Sequence, residues 1–199
     1  FLLVCVVAIH SSNTLHLKKK KFAAGENLEY IAEWGLLTIG SASINIDKQL
    51  FRLGKNICYK ISANATTNGI AGIFYLNDKW SAYIDTATIT THRSYRSIRE
   101  GRYEKDEIVY FNHTERKALV SVYDKNLKKY TLRKTYDTPS EIRDYIAGFM
   151  LVRYIDFNRY HKGDIFSISG FYEEKGYKID VEYAGKVFLN QNNKQTLCY

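Results

Sequence analysis

The stretch Ile57-Cys58-Tyr59-Lys60-Ile61-Ser62-Ala63-Asn64 decides the fold. Ile57, Tyr59, Ile61 and Ala63 fall on one side of an extended chain, and Cys58, Lys60, Ser62 and Asn64 on the other. A period of two is the signature of a strand with one buried face. Upstream, Leu28, Tyr30, Ala32 and Trp34 alternate with Asn27, Glu29 and Glu33, and Ala42, Ile44 and Ile46 alternate with Ser41, Ser43, Asn45 and Asp47. Downstream, strands are predicted over 73–76, 80–85, 107–111, 118–123, 129–136, 165–169, 177–183 and 186–189. Turn chemistry separates them at Gly35, Gly54, Asn68-Gly69, Asn77-Asp78, Asp124-Lys125-Asn126 and Lys175-Gly176. Connections this short imply hairpins, so the expected fold is all-β and mainly antiparallel, a curved or barrel-like meander.

Composition agrees. The 199 residues include 17 Tyr and 10 Phe beside one Pro and one Met, and aromatic side chains suit a pleated, half-buried surface. The formal charge of +8 admits an anionic partner, but the lysines are spread along the chain, as on a solvated surface. One segment departs from period two. Thr138-Pro139-Ser140-Glu141 reads as a capping box with Pro at the first helical position. Ile142, Tyr145, Ile146, Phe149 and Met150 follow at helical spacing, which predicts one long buried helix near 139–160, packed against or plugging the sheet.

The apolar run 1–9, FLLVCVVAI, is too short to span a bilayer and suits the hydrophobic part of a secretory signal. With the basic Lys18–Lys21 run it makes 1–22 a signal-like segment and linker, and 23–199 a single β-barrel-like domain. Cys58 and Cys198 then remain, either as a disulfide in an oxidising compartment or as two unrelated thiols.

Chemistry-bearing motifs are sparse. His161 and Asp164 read as a turn, since no further ligands at workable spacing complete a metal site. There is no G-x-S-x-G turn, no P-loop and no G-x-G-x-x-G. Catalytic residues, a metal and a cofactor are therefore not assigned. Asp85, Glu100 and Asp164 are the carboxylates to inspect for hydrolase chemistry, because each sits beside a strand end or Gly turn. Arg93, Tyr95, Arg96 and Arg99 carry the ingredients of a single-strand nucleic-acid surface, but a solvated strand or loop explains them, and nucleic acid is not expected as a partner.

Several segments together resemble a family of bacterial exported proteins known as domain of unknown function 3108. They are Gly25-Glu26, Leu28-Glu29-Tyr30, Trp34-Gly35, Gly40-Ser41-Ala42, 67–69, 75–78, 81–85, Glu100-Gly101 with Tyr103, 137–140, Arg153 and Gly163-Asp164, in that order. The resemblance implies a YmcC-like, barrel-like antiparallel sheet with a helix, in the periplasm or outer cell envelope, and no established activity. The expected function is an exported envelope binding or assembly protein, sheltering a lipid or other apolar ligand. Trp34, Tyr75, Trp80 and Phe149 are the candidate lining residues, and core packing is their alternative role. The rival readings are a structural module docking on an envelope protein or polysaccharide, and a carboxylate-dependent hydrolase; a monomer is expected. N-terminal sequencing of the envelope fraction should find a mature start between Ser11 and Lys18; an intact apolar segment there would refute cleavage.

Overall fold

The structure, a computed structural model, describes residues 15–18, 22–34, 36–67, 75–191 and 194–198, and no helix among them is long and apolar enough to cross a membrane. Eight strands pair in chain order as one antiparallel sheet: β1 (Asn27–Trp34), β2 (Leu37–Leu53), β3 (Asn56–Thr67), β4 (Asn77–Asp85), β5 (Thr91–Glu100), β6 (Tyr103–Asn112), β7 (Lys117–Asp124) and β8 (Lys129–Asp137). Gly54 and Gly101 supply the positive φ that the tight β2–β3 and β5–β6 turns require. The meander does not close: β1 pairs with β2 alone and β8 with β7 alone. A helix α1 (Tyr145–Tyr154), a 3-10 turn (Phe157–Arg159) and two hairpins, β9 (Ile165–Tyr172) with β10 (Lys175–Glu182) and β11 (Val187–Gln191) with β12 (Lys194–Cys198), complete the described chain. Of the expected strand at 73–76 only Tyr75 and Leu76 are described, and Leu76 forms a single bridge to Glu100; the Gly35 and Asn68-Gly69 turns lie outside the described residues.

Alternation puts Ile46, Ile61, Ala82 and Ile84 on the inner face of the sheet, where Ile146, Ala147, Met150, Leu151 and Tyr154 of α1 and Phe166 and Ile168 of β9 cover them. A second cluster joins Val109, Phe111, Ala118 and Val120 to Ile142 and Phe171. Each large apolar side chain buried this way contributes about 1.5–3 kcal/mol. The helix therefore packs against the sheet, as expected, and its buried stripe fills the space above β3 and β4 with side chains.

The helix is shorter than expected and starts elsewhere. Thr138 is not its cap: its backbone N–H donates to the Arg116 carbonyl, and Glu141 adopts a positive φ of 53° that interrupts any helix from Pro139. The reason is competition for backbone donors. Arg143 N–H donates to Ser169 O, Phe171 N–H to Arg143 O and Thr91 N–H to Ile142 O, so 142–143 is stitched between β5 and β9 as extended chain. Gly176 permits this course, since a Cβ there would lie 3.1 Å from Pro139 Cδ. Asp144 then caps α1, its Oδ1 accepting from Ala147 N–H at 2.9 Å.

Residues 15–18 join the same body, on the N-terminal side of the boundary expected at 22. Leu17 pairs with Ile155, Lys18 N–H donates to Tyr154 O, Asp156 N–H donates to His16 O, and Leu15, Leu17 and Phe22 pack on the core.

Asp144 carries a measurable signature. The residue is half-buried, but its carboxyl is enclosed, and that burial outweighs its hydrogen bonds and raises its pKa from 3.8 to about 6. The folded chain holds this proton more tightly than the unfolded chain, so its stabilising contribution is full below the unfolded value of 3.8 and is lost as pH rises to about 6. Asp144→Asn keeps a cap acceptor and should remove a fall in stability of about 1–3 kcal/mol across that interval, read from urea midpoints at both ends; Thr138→Ala should leave the fall unchanged.

Candidate functional site

The register of the central strands builds the site. Trp80 lies opposite Arg96, Arg96 opposite Glu107, and Ile98 opposite Lys105, so the inner face carries charge here between the two apolar clusters. Glu107 is 1% exposed. Its Oε1 accepts from Arg96 Nε at 3.0 Å and Arg96 Nη2 at 2.7 Å, and the Lys105 ammonium lies 2.6 Å from Oε2 as an ion-pair contact rather than an aligned hydrogen bond. Lys105 also reaches Glu174 at 3.3 Å, and the Tyr136 hydroxyl donates to that same carboxylate. Burial opposes the charge on Lys105, but Glu107 and Glu174 outweigh it and hold the ammonium above its ordinary pKa.

Above this floor a cleft of about 250 Å³ opens between the start of β4, the β5–β6 turn and the β9–β10 turn. Three aromatic side chains (Trp80, Tyr103 and Tyr172) and four carboxylates (Asp78, Glu100, Glu173 and Glu174) line it, with Arg96 and Lys105 at its floor. Asp78 is 2% exposed and accepts from Arg99 N–H at 2.8 Å, and the Arg96 guanidinium sits 5.5 Å from the Tyr172 ring centre. The exposed Glu100 carboxyl is held above the usual range by partial desolvation, then by the Asp78 charge and a hydrogen bond with Asp78, with Glu173 adding to it. The cations of the floor are matched by Glu107 and Glu174, so the other three lining acids, Asp78, Glu100 and Glu173, give the cleft its sign.

Of the residues singled out in the sequence, Trp80 and Glu100 meet in this cleft; Tyr75 does not line it, although its carbonyl accepts from Gly101 N–H of the β5–β6 turn at 2.8 Å. Phe149 is elsewhere, 43% exposed on the outer side of α1. The backbone of Trp34 ends β1, and its side chain lies outside the described residues. Cys58 and Cys198 are both free thiols; burial first, then Asp85, pushes Cys58 up to about 11, which leaves it protonated and inert. Asp164 closes a turn, accepting from His161 N–H at 2.7 Å. Among the described residues no group of three or more His, Cys, Asp or Glu is placed to hold a metal.

At the opposite end of the strands lies a cavity of about 660 Å³ that sequence reasoning missed, lined in part by Asp85, His92 and His113. The two imidazoles stand edge to face at 5.0 Å, His113 Nε2 pairs with Thr91 O at 2.8 Å, and His92 Nε2 is 3.5 Å from Asp85. Burial and then the His113 charge lower the pKa of His92, against the pull of Asp85. Burial also tends to raise Asp85, but donors from Thr88 and Ala87, with His92, win and hold it low as a turn cap. The signal was the pairing of β5 with β6, which brings residues 92 and 113 together and which alternation does not disclose.

An open eight-stranded antiparallel meander, roofed on one face by a short helix and a hairpin and cleft at both strand ends, defines an all-β protein of one recognisable class. The sequence profile of the family described as Protein of unknown function (DUF3108) matches residues 29–199, and the chain belongs to that family. No curated protein and no solved structure matches it.

Removing the shared anion should expose how tightly the floor is balanced. Glu107→Gln leaves two enclosed cations short of a counter-charge and is expected to cost about 3–5 kcal/mol, seen as a lower urea midpoint at unchanged slope.

Proposed function

We propose that the chain is an exported cell-envelope binding or assembly protein that docks on a polysaccharide through the cleft at Trp80. The observation that carries this reading is the pairing of three aromatic side chains with four carboxylates in one open cleft. Aromatic rings pack against the C–H faces of a sugar, and carboxylates accept from its hydroxyls. A lipid-sheltering role has less support, because apolar side chains occupy the space between α1 and the sheet. A second reading, carboxylate-dependent hydrolysis, is favoured by one observation: the Glu100 carboxyl is held above the usual carboxylate range, the direction an acid catalyst would need.

Titration with oligomers of β-linked N-acetylglucosamine should quench tryptophan fluorescence saturably. Tyr103→Ala, at an exposed position, should weaken that binding about tenfold without moving the unfolding midpoint. Release of new reducing ends, lost in Glu100→Gln while binding persists, would instead support the hydrolase. Absence of saturable binding to these oligomers and to purified envelope polysaccharide would sink the docking role.

A further inference from the structure

The outer face of the sheet carries an unpaired cation in an aromatic setting. Tyr83, Arg93 and Tyr110 are cross-strand partners on β4, β5 and β6, and Tyr95 follows Arg93 on the same face. The Arg93 guanidinium lies 4.5 Å from the Tyr83 ring centre, 5.3 Å from Tyr95 and 5.9 Å from Tyr110. Among the described residues no carboxylate pairs with Arg93 and none accepts a hydrogen bond from it, and its Nε is buried without a partner. Arg96, Arg99, Arg143, Arg153 and Arg159 all have acidic partners. Asp85, on the same face, is already committed to Ala87, Thr88 and His92. Lys60 lies opposite Tyr83 on the neighbouring strand, 5.9 Å from the Phe51 ring, and it too has no acidic partner among the described residues.

Partly buried charges are ordinarily paired, and a guanidinium fork held against rings matches the geometry of a planar or tetrahedral oxyanion. Contact with the ring faces attracts the Arg93 cation but satisfies none of its N–H donors. We infer that Arg93, framed by Tyr83, Tyr95 and Tyr110 and assisted by Lys60, forms a binding site for a phosphate group on the face of the sheet opposite the Trp80 cleft. The tyrosines hold the fork in place, and the phosphate oxygens take the unused donors. The phosphate belongs either to a soluble ligand or to a lipid headgroup.

Two probes separate the sources. Inorganic phosphate titrated into the full chain should shift the Arg93 Nε–H resonance saturably, against a chloride control of equal ionic strength. Phosphatidylglycerol vesicles should sediment the chain where phosphatidylcholine vesicles do not, if the phosphate is a headgroup. Arg93→Lys keeps the charge without the fork, and it should weaken whichever response occurs about tenfold; Arg93→Gln should abolish it. A response to free phosphate alone assigns a soluble ligand, and a vesicle response lost in Arg93→Gln assigns the lipid. No response to either probe, or a response indifferent to both substitutions, overturns the site. If a variant fails to fold, the absence of any wild-type response to phosphate and to vesicles is enough to overturn it.

Discussion

Two reciprocal hydrogen bonds between the Thr91 hydroxyl and Asp144 hold the architecture together. The hydroxyl donates to Asp144 Oδ1 at 2.8 Å and accepts from Asp144 N–H at 2.9 Å. They join the first residue of the central strand to the residue that caps α1, across 53 positions of chain. Because an eight-stranded sheet is roofed by so little chain, where that roof begins decides which inner positions are dry. With Asp144 anchored, Met150 and Leu151 are buried with Ile61 and Ile84, Ile142 and Phe171 with Val109, and Glu107 is sealed beneath. The anchor is costly as electrostatics, since it encloses a carboxylate, but the same carboxylate satisfies a helix donor that would otherwise be orphaned.

The second organising feature is the polar inner face of β5 and β6. Ser94, Arg96, Lys105 and Glu107 divide what would otherwise be one apolar surface into two clusters. A buried ion cluster of this kind adds little net stability compared with well-packed hydrophobes. What it supplies is orientation. Arg96 is pinned by Glu107 and stacks on Tyr172, and Lys105 is pinned between Glu107 and Glu174, which links the sheet to the β9–β10 turn. Both walls of the Trp80 cleft are therefore tied to one buried carboxylate.

Much of this was legible in the residues, and the failures have physical causes. The alternation in β2, β3, β4, β6, β7 and β8 places the strands correctly because each sets apolar side chains on the covered face, while β1 alternates at the edge of the sheet with Tyr30 and Ile31 exposed. β5 resisted because both of its faces are polar or aromatic: Ser94 and Arg96 point inward, Arg93 and Tyr95 outward. Openness was illegible, since a period of two says which face is covered and nothing about whether the first and last strands meet. The capping box at Thr138 was a sound local signal, overridden by tertiary partners for the backbone of 142–143. Trp80 and Glu100 were singled out separately. Their convergence depends on register and on the Leu76–Glu100 bridge, and neither is written in a local pattern.

The order of pairing along the chain has a consequence for how the protein is made. Every strand of the large sheet bonds to its immediate neighbour in sequence, so the meander can grow hairpin by hairpin as the chain emerges, with little loop-closure entropy at each step. Its roof arrives last. Ile146, Met150, Leu151, Phe166 and Ile168 all lie beyond β8, so until they appear Ile46, Ile61 and Ile84 stand wet on a nearly finished sheet. A growing chain passes through a state with ordered strands, two open edges and a bare greasy face, the combination most prone to sticking to its own copies. Synthesis of this protein is therefore a race between delivery of its final third and aggregation of its first two, and a chaperone that shields the bare face would have the most effect in that interval.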